Sequence, residues 1–101
     1  MQLQLAFELR SPDCGAPHRE LYAAMLDICA WADDVGFDVV NFGEHHGADS
    51  GYNPSPLIAC AAVARRTRRT RIRPNVLLAP LYHRWYRHMR RPGDDDRGAV
   101  R

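Results

Sequence analysis

The chain has 101 residues, 46% hydrophobic and 26% charged, which suits one small globular domain and excludes an intrinsically disordered protein. All fourteen basic residues are arginine, and with twelve acidic residues they give a net charge of +2. No apolar run reaches the roughly 20 residues that cross a bilayer, and the N-terminus lacks the pattern of a secretory signal, so we expect a cytoplasmic protein.

The three cysteines are too far apart in the sequence to form a recognisable motif. Their odd number and the lack of a CxxC pair indicate neither a disulfide framework nor a thiolate zinc site. Cys29 and Cys60 lie in alanine-rich apolar stretches, whereas Cys14 lies in a proline-containing loop. We therefore predict buried, unreactive thiols at Cys29 and Cys60.

The first predicted elements are a strand and a helix. Residues 3–7, LQLAF, alternate apolar and polar side chains as a short strand does. Between residues 19 and 35, apolar side chains recur every three to four positions, which predicts a helix with one apolar face. That face comprises Leu21, Met25, Ile28, Ala32 and Val35. Gly36 follows as a left-handed cap.

A second strand and a second helix come next. The β-branched and apolar residues 38–42 predict a buried strand, and residues 43–53 read as the polar loop beyond its C-terminal end. Ser55 and Pro56 are typical of an N-cap and the first helical turn.

Residues 72–83 predict a third strand, in which Pro74 requires a strand start, a bulge or an irregular backbone. The resulting order, β-α-β-α-β, predicts an α/β fold with a parallel sheet.

Six arginines lie between Arg65 and Arg73. Clustered arginine can neutralise phosphates, so a small basic nucleic-acid-binding module is one interpretation. However, cations are also favourable at a helix C-terminus, and no aromatic residue interrupts the run to stack on bases. We favour the structural interpretation.

The composition changes at Arg84. Residues 84–101 have no helical or strand period and carry six Arg and three Asp, whereas residues 1–83 carry eight Arg and nine acidic residues. We interpret residues 84–101 as an irregular tail that is not native sequence and arises from a frameshift in a GC-rich gene. A native basic tail is the alternative. Sequencing the gene beyond this point distinguishes the two, because a frameshift predicts a restored frame with further βα units.

Several motifs appear in a fixed order along residues 1–83. They are Gly36-Phe37-Asp38, Glu44-His45-His46, Pro54-Ser55-Pro56, Arg66-Thr67 and Leu77–His83. In this order they resemble the N-terminal part of bacterial luciferase-like flavin-dependent monooxygenases.

The resemblance implies the N-terminal βαβαβ portion of a TIM (β/α)₈ barrel, with the active site at the C-terminal ends of the strands. It further implies reduced FMN, or a deazaflavin coenzyme in a sister branch, and oxidation of a small organic substrate by O₂. A separate flavin reductase is the implied partner, and full-length relatives are expected to be homodimers. Neither nucleic acid nor a membrane is an expected partner.

The resemblance also assigns roles to individual residues. His45 corresponds to the catalytic histidine and would act as a general acid or base beside the flavin. Glu44 would orient His45 or complete the pocket wall. Asn75 and Val76 lie where the family often has a non-proline cis peptide against the flavin ring, and Phe7 would contribute to the pocket.

The chain departs from the family pattern after His83, where Arg84 replaces the expected proline. A complete barrel needs around 250 residues, so this chain supplies three of eight strands and lacks the late phosphate-binding loops. We expect that this truncated chain neither binds flavin tightly nor turns over.

A metal site is the remaining alternative, with Glu44, His45, His46 and His83 as ligands. Neighbouring histidines on a strand point to opposite faces, so His45 and His46 could share a metal only if the loop turns there.

Overall fold

The computed structural model describes residues 1–11 and 15–82 of the chain. The predicted tail at residues 84–101, together with Cys14 and His83, lies outside them. The elements are the strands β1 (Gln4–Phe7), β2 (Val39–Phe42) and β3 (Arg71–Pro74), the helices α1 (His18–Val35) and α2 (Pro56–Arg66), and a 3₁₀ turn (Ala79–Tyr82). Within the described residues, neither helix is both long enough and apolar enough to span a membrane.

The three strands form one parallel sheet in the order β1-β2-β3. Ala6 pairs with Asn41, and Asn41 pairs in turn with Arg73. Each connection between neighbouring strands contains a helix, as parallel pairing requires. The predicted α/β fold and the order β-α-β-α-β are confirmed.

The core lies between the sheet and the two helices. It contains residues from both helices, from β2 and from the loop after β1, namely Leu9, Met25, Cys29, Val40, Phe42, Ala59 and Val63. Strands β1 and β3 turn only alternate residues toward this core, whereas all four residues of the central strand β2 are buried.

The predicted apolar face of α1 is partly wrong. Ile28 and Val35 are 42% and 53% exposed, while Cys29 is fully buried. The buried arc is centred on Met25 and Cys29, and a rotation of 100° per residue places Ile28 and Val35 at its edge. The end of α1 is as predicted: Gly36 has φ 93°, and its N–H donates to the carbonyl of Ala32.

The third strand is shorter than predicted. It ends at Pro74, and the predicted strand over residues 75–82 is wrong: the chain forms a loop with a cis peptide between Asn75 and Val76, followed by the 3₁₀ turn. A run of apolar residues looks the same in a buried strand and in a loop that carries an apolar surface. Pro74 thus lies next to an irregular backbone, which is one of the three possibilities predicted for this position.

Several members of the arginine run have partners within the protein. Arg69 donates from Nη2 to the backbone carbonyls of Asp33 and Asp34 at the end of α1, at 2.5 and 3.2 Å. Arg66 pairs with Asp27 of α1 at 2.6 Å. These contacts tie the turn between α2 and β3 to α1, so they support a structural role for the run.

Asp33 of α1 also connects this helix to the turn before β3. Its buried carboxylate accepts backbone N–H bonds from Arg68, Arg69 and Thr70, at distances of 2.7 to 3.0 Å. The bonds from Thr70 and Arg69 are the strongest influences on the pKa of Asp33, which lies below its usual value.

Candidate active site

Two loops meet beyond the C-terminal ends of β2 and β3. The β2 loop, residues 43–53, carries the Glu-His-His sequence, and the β3 loop, residues 75–82, carries the cis peptide. The backbone N–H of Asn75 donates to the carbonyl of Phe42 at 2.7 Å, which extends the β2–β3 pairing by one residue. This edge of a parallel sheet is where α/β proteins place their ligand sites.

Glu44 joins the two loops. Its side chain is fully buried; Oε1 contacts Nε2 of His46 at 2.5 Å, and Oε2 accepts the backbone N–H of Leu78 at 2.8 Å. The structure therefore places the carboxylate against His46, whereas the resemblance implied that Glu44 orients His45 or completes the pocket wall. Sequence reasoning could not identify the partner from the β3 loop, because Leu78 contributes only a backbone group 34 residues away.

The charged state of Glu44 is favoured by its surroundings. Burial alone would raise the pKa of Glu44, but the hydrogen bonds from His46 and Leu78 and the nearby Tyr82 hydroxyl bring it below its usual value. Conversely, burial and the adjacent carboxylate raise the pKa of Tyr82. The Tyr82 hydroxyl is buried and has no partner of regular hydrogen-bond geometry within the described residues.

His45 presents its imidazole at the surface of the same edge. It is exposed, and one side of the ring packs against Tyr52 with a centroid separation of 4.4 Å. Its backbone N–H donates to the carbonyl of Asn53 at 3.3 Å. An exposed imidazole held by an aromatic neighbour can exchange protons with a bound molecule.

Asn53 is a structural residue that the sequence interpretation missed. It is 2% exposed; Nδ2 donates to the carbonyl of Gly43 at 2.7 Å, and Oδ1 accepts the Tyr22 hydroxyl at 3.2 Å. Because Asn53 also accepts the backbone N–H of His45, it connects both ends of the β2 loop to α1. No motif marks this residue, since its partners are mostly backbone groups.

The histidine pair does not form a metal site in the structure. Across residues 1–11 and 15–82, no group of three His, Cys, Asp or Glu side chains is placed to hold a metal ion. His45 packs on Tyr52, whereas His46 turns to Glu44. The fourth predicted ligand, His83, lies outside the described residues.

The three residues predicted to contact the cofactor lie in two different surroundings. Asn75 and Val76 are exposed at the active-site edge, and the peptide bond between them is cis. The Phe7 ring instead lies on the helix side of the sheet, where it stacks on Phe42 at 5.5 Å and packs against the core. Packing therefore accounts for Phe7, and its predicted contribution to a cofactor pocket has no support from this position.

Comparisons with known proteins agree on one family. The family profile described as luciferase-like monooxygenase matches residues 6–84. The chain is 31% identical over 65 residues to the oxygenase component of flavin-dependent trigonelline monooxygenase from Acinetobacter baylyi, and 38% identical over 58 residues to 4-hydroxyprotoasukamycin monooxygenase from Streptomyces nodosus subsp. asukaensis. These alignments cover 64% and 57% of this chain.

A solved structure has a similar arrangement of strands and helices. The oxygenating constituent of 3,6-diketocamphane monooxygenase from Pseudomonas putida, a type II Baeyer-Villiger monooxygenase in complex with FMN, superposes with a TM-score of 0.69 at 27% identity and covers 79% of this chain. The matched part is 18% and 16% of the two sequence relatives and 22% of the solved chain. This chain therefore spans about a fifth of the length of these proteins.

Proposed function

Since the chain belongs to the luciferase-like monooxygenase family, we propose that it forms the first three strands of a flavin-dependent monooxygenase site that uses reduced FMN and O₂ to oxidise a small organic substrate. The observation that carries the proposal is the hydrogen bond from the Leu78 N–H in the β3 loop to Glu44 in the β2 loop. This bond brings the Glu-His-His sequence and the segment around Val76 to one edge of the sheet.

The residues at this edge fit one part of the cofactor. Val76, Leu77 and Leu78 are 59%, 38% and 41% exposed, so the β3 loop offers an apolar surface suited to the ring system of a flavin. When bound, reduced FMN would supply the electrons that activate O₂. A separate flavin reductase in the cytoplasm would provide the reduced cofactor. That the full-length protein forms a homodimer stays a prediction.

His45 would move a proton to or from the substrate or the reacting oxygen. An imidazole is a side chain suited to general acid–base work, and this one is exposed at the active-site edge. Glu44 would act indirectly, because its carboxylate holds the β3 loop and His46 rather than reaching the surface. Tyr52 would keep the His45 ring in place.

The 101-residue chain by itself is proposed to be inactive. Within residues 1–11 and 15–82, the three parallel strands leave one edge of β1 and one edge of β3 unpaired, whereas a closed (β/α)₈ barrel pairs every strand. A tight flavin site needs surfaces from other strands as well, since cofactor pockets enclose most of the ligand.

Fluorescence titration tests cofactor binding by the isolated chain. We expect weak, non-saturating quenching with FMN and with a deazaflavin coenzyme. Tight stoichiometric binding of either one would refute the inactive-fragment proposal and would also decide between the two cofactors.

A chimera tests the activity. Residues 1–82 would replace the matching segment of the Pseudomonas putida oxygenase, and FMN binding and oxygenation of that enzyme's own substrate would be measured separately. We expect His45→Gln to abolish oxygenation while FMN binding is kept. His18→Gln is the matched control: the exposed His18 ring contacts the Ser50 carbonyl of the β2 loop at 3.0 Å, and a glutamine amide can keep that hydrogen bond, so both readouts should stay unchanged. Equal activity of the two variants would remove His45 from the mechanism.

A further inference from the structure

The sheet face that points away from the helices carries two arginines that have no acidic partner within residues 1–11 and 15–82. Side chains alternate between the two faces of a strand, and the core takes Leu5, Phe7, Val40, Phe42 and Ile72. The opposite face is therefore formed by Gln4, Ala6, Val39, Asn41, Arg71 and Arg73. It contains two arginines and no acidic residue.

Arg73 is held in a fixed orientation on this face. Its Nε donates to Oδ1 of Asn41 at 2.7 Å, and its Nη2 donates to Oε1 of Gln4 at 2.9 Å. Asn41 Nδ2 also donates to the same Gln4 oxygen, at 3.3 Å. The three side chains thus form a closed network across β1, β2 and β3.

The network leaves the outer edge of the guanidinium available. A guanidinium has five N–H donors, and the two amide oxygens take one from Nε and one from Nη2. The remaining donors, on Nη1 and Nη2, have no hydrogen-bond or ion-pair partner within residues 1–11 and 15–82. We call this outer edge the Arg73 fork.

A carboxylate is the group that best fits the Arg73 fork. Two parallel N–H bonds match the two oxygens of a carboxylate, which adds geometric specificity to the charge attraction. In a (β/α)₈ barrel this sheet face lines the interior, where an unpaired arginine is costly. Arg71 on the same face adds a second positive charge and so strengthens the electrostatic attraction for an anion.

The position of the fork favours a ligand. Ala6, Asn41 and Arg73 share one register across the sheet, and the short Ala6 side chain leaves space beside the fork. Arg73 is followed directly by Pro74, the last residue of β3, so this layer lies just below the active-site edge. A molecule entering from that edge reaches this layer first.

We propose that Arg73, oriented by Asn41 and Gln4, binds a carboxylate, and that in the oxygenase this carboxylate belongs to the organic substrate. The assignment to the substrate rests on the proposed function, whereas the fork itself rests only on the described strands. The proposed oxygenase would then act on small organic acids.

Binding of benzoate to the full 101-residue chain tests the fork, with NMR at constant ionic strength and with benzamide as the neutral analogue. The amide of Ala6 and the side-chain amide of Asn41 report the site. We expect saturable shifts with benzoate that are absent with benzamide. Arg73→Gln should weaken binding at least about tenfold, because the charge and the fork are both lost.

Two further variants separate the fork from general charge and from misfolding. Arg73→Lys keeps the charge and should bind benzoate more weakly than the native chain, since an ammonium lacks the planar fork. Arg68→Gln removes an exposed arginine elsewhere in the run and should bind like the native chain. Equal shifts with benzamide, or equal benzoate binding by the native chain and Arg73→Gln, would overturn the proposal. The benzoate titration is independent of the flavin titration, so the carboxylate site and the proposed function can each fail without the other.

A second probe distinguishes a substrate carboxylate from the side chain of a neighbouring strand. This probe is a blocked tripeptide with a central glutamate between two valines, which mimics an acidic residue on a strand. We expect benzoate to bind at least as tightly as this tripeptide. Binding of the tripeptide about tenfold more tightly would show that the fork is built for a protein carboxylate and would overturn the assignment to the substrate.

Discussion

The carboxylate of Glu44 and the backbone N–H of Leu78 are joined by a 2.8 Å hydrogen bond that connects the loop after β2 to the loop after β3. The carboxylate is fully buried, and its other oxygen contacts His46. One side chain thus fixes the relative position of the two segments that form the candidate active site. Its role is to hold the site together from beneath, because it has no exposed surface of its own.

Replacing Glu44 by Ala should destabilise the chain. The change leaves the Leu78 N–H without its acceptor and removes the partner of His46, which together should cost about 1–3 kcal/mol of unfolding free energy. Urea denaturation measures this loss.

Glu44→Gln and Glu20→Ala are the matched variants for this measurement. Glu44→Gln retains an acceptor oxygen and should lose less stability than Glu44→Ala. Glu20 is exposed in the first turn of α1, so its replacement should change stability by no more than about 0.5 kcal/mol. Equal stabilities of Glu44→Ala and Glu20→Ala would contradict the role given to Glu44.

Asp33 should make the chain sensitive to acid. Its pKa is lowered in the folded state, so its contribution to stability is fully present above the unfolded-state value of about 3.9 and is lost as the pH falls through the folded-state value. Urea midpoints measured between about pH 2 and 6 should therefore fall at the acid end. In Asp33→Asn the midpoint should be lower near neutral pH and should vary less with acid.

The neighbouring Asp34 provides the control for this pH dependence. It is exposed, and its side chain makes no hydrogen bond or ion pair within the described residues, so Asp34→Asn should keep the native profile. The same acid dependence in Asp33→Asn and in the native chain would show that the three backbone N–H bonds are not its source.

The order of the elements could be predicted from the sequence because it depends on local patterns. The β-branched residues 38–42, the helical spacing before them and the left-handed cap at Gly36 are each properties of a short segment. The predicted length of β3 was wrong because that prediction also depended on a local pattern alone. Val76 and Leu77 are as apolar as buried strand residues, and only the surrounding structure shows that they lie in an exposed loop.

The candidate site was predictable in position but not in its contacts. The end of β2 identifies the loop that carries Glu44 and His45, but the sequence cannot show which of the polar side chains is buried. That depends on the Leu78 N–H, which arrives from the next βα unit. Asp33 and Asp34 pose the same problem, because they are adjacent and chemically identical while only Asp33 faces the turn before β3.

Cys29 should resist modification in the folded chain. Burial, with a smaller effect of the neighbouring Cys60, raises the pKa of its thiol to about 11, so the thiolate fraction near pH 8 is about one in a thousand. In a chain with Cys14 replaced by Ser, an aromatic disulfide reagent should reach Cys29 only after urea unfolding. The half-buried Cys60 should react faster than Cys29, although its pKa is also raised by burial.

Single replacements of Cys29 and Cys60 by Ser identify the two reactions. The slow phase should disappear with Cys29→Ser and remain with Cys60→Ser. Modification of Cys29 at the same rate in the folded and unfolded chains would contradict its position in the core.

Gly43 should control the position of the His45 ring through Tyr52. A Cβ atom at Gly43 would lie 2.6 Å from the Tyr52 hydroxyl oxygen and 3.3 Å from Cζ, so Gly43→Ala should force the tyrosine side chain to move. Because His45 packs against that ring at 4.4 Å, its imidazole proton resonances should shift toward random-coil values. The double variant Gly43→Ala with Tyr52→Phe removes the atom at 2.6 Å and should restore much of the ring contact. Tyr52→Phe alone should leave the His45 resonances close to native, and a double variant no better than Gly43→Ala would show that the clash with the hydroxyl is not the cause.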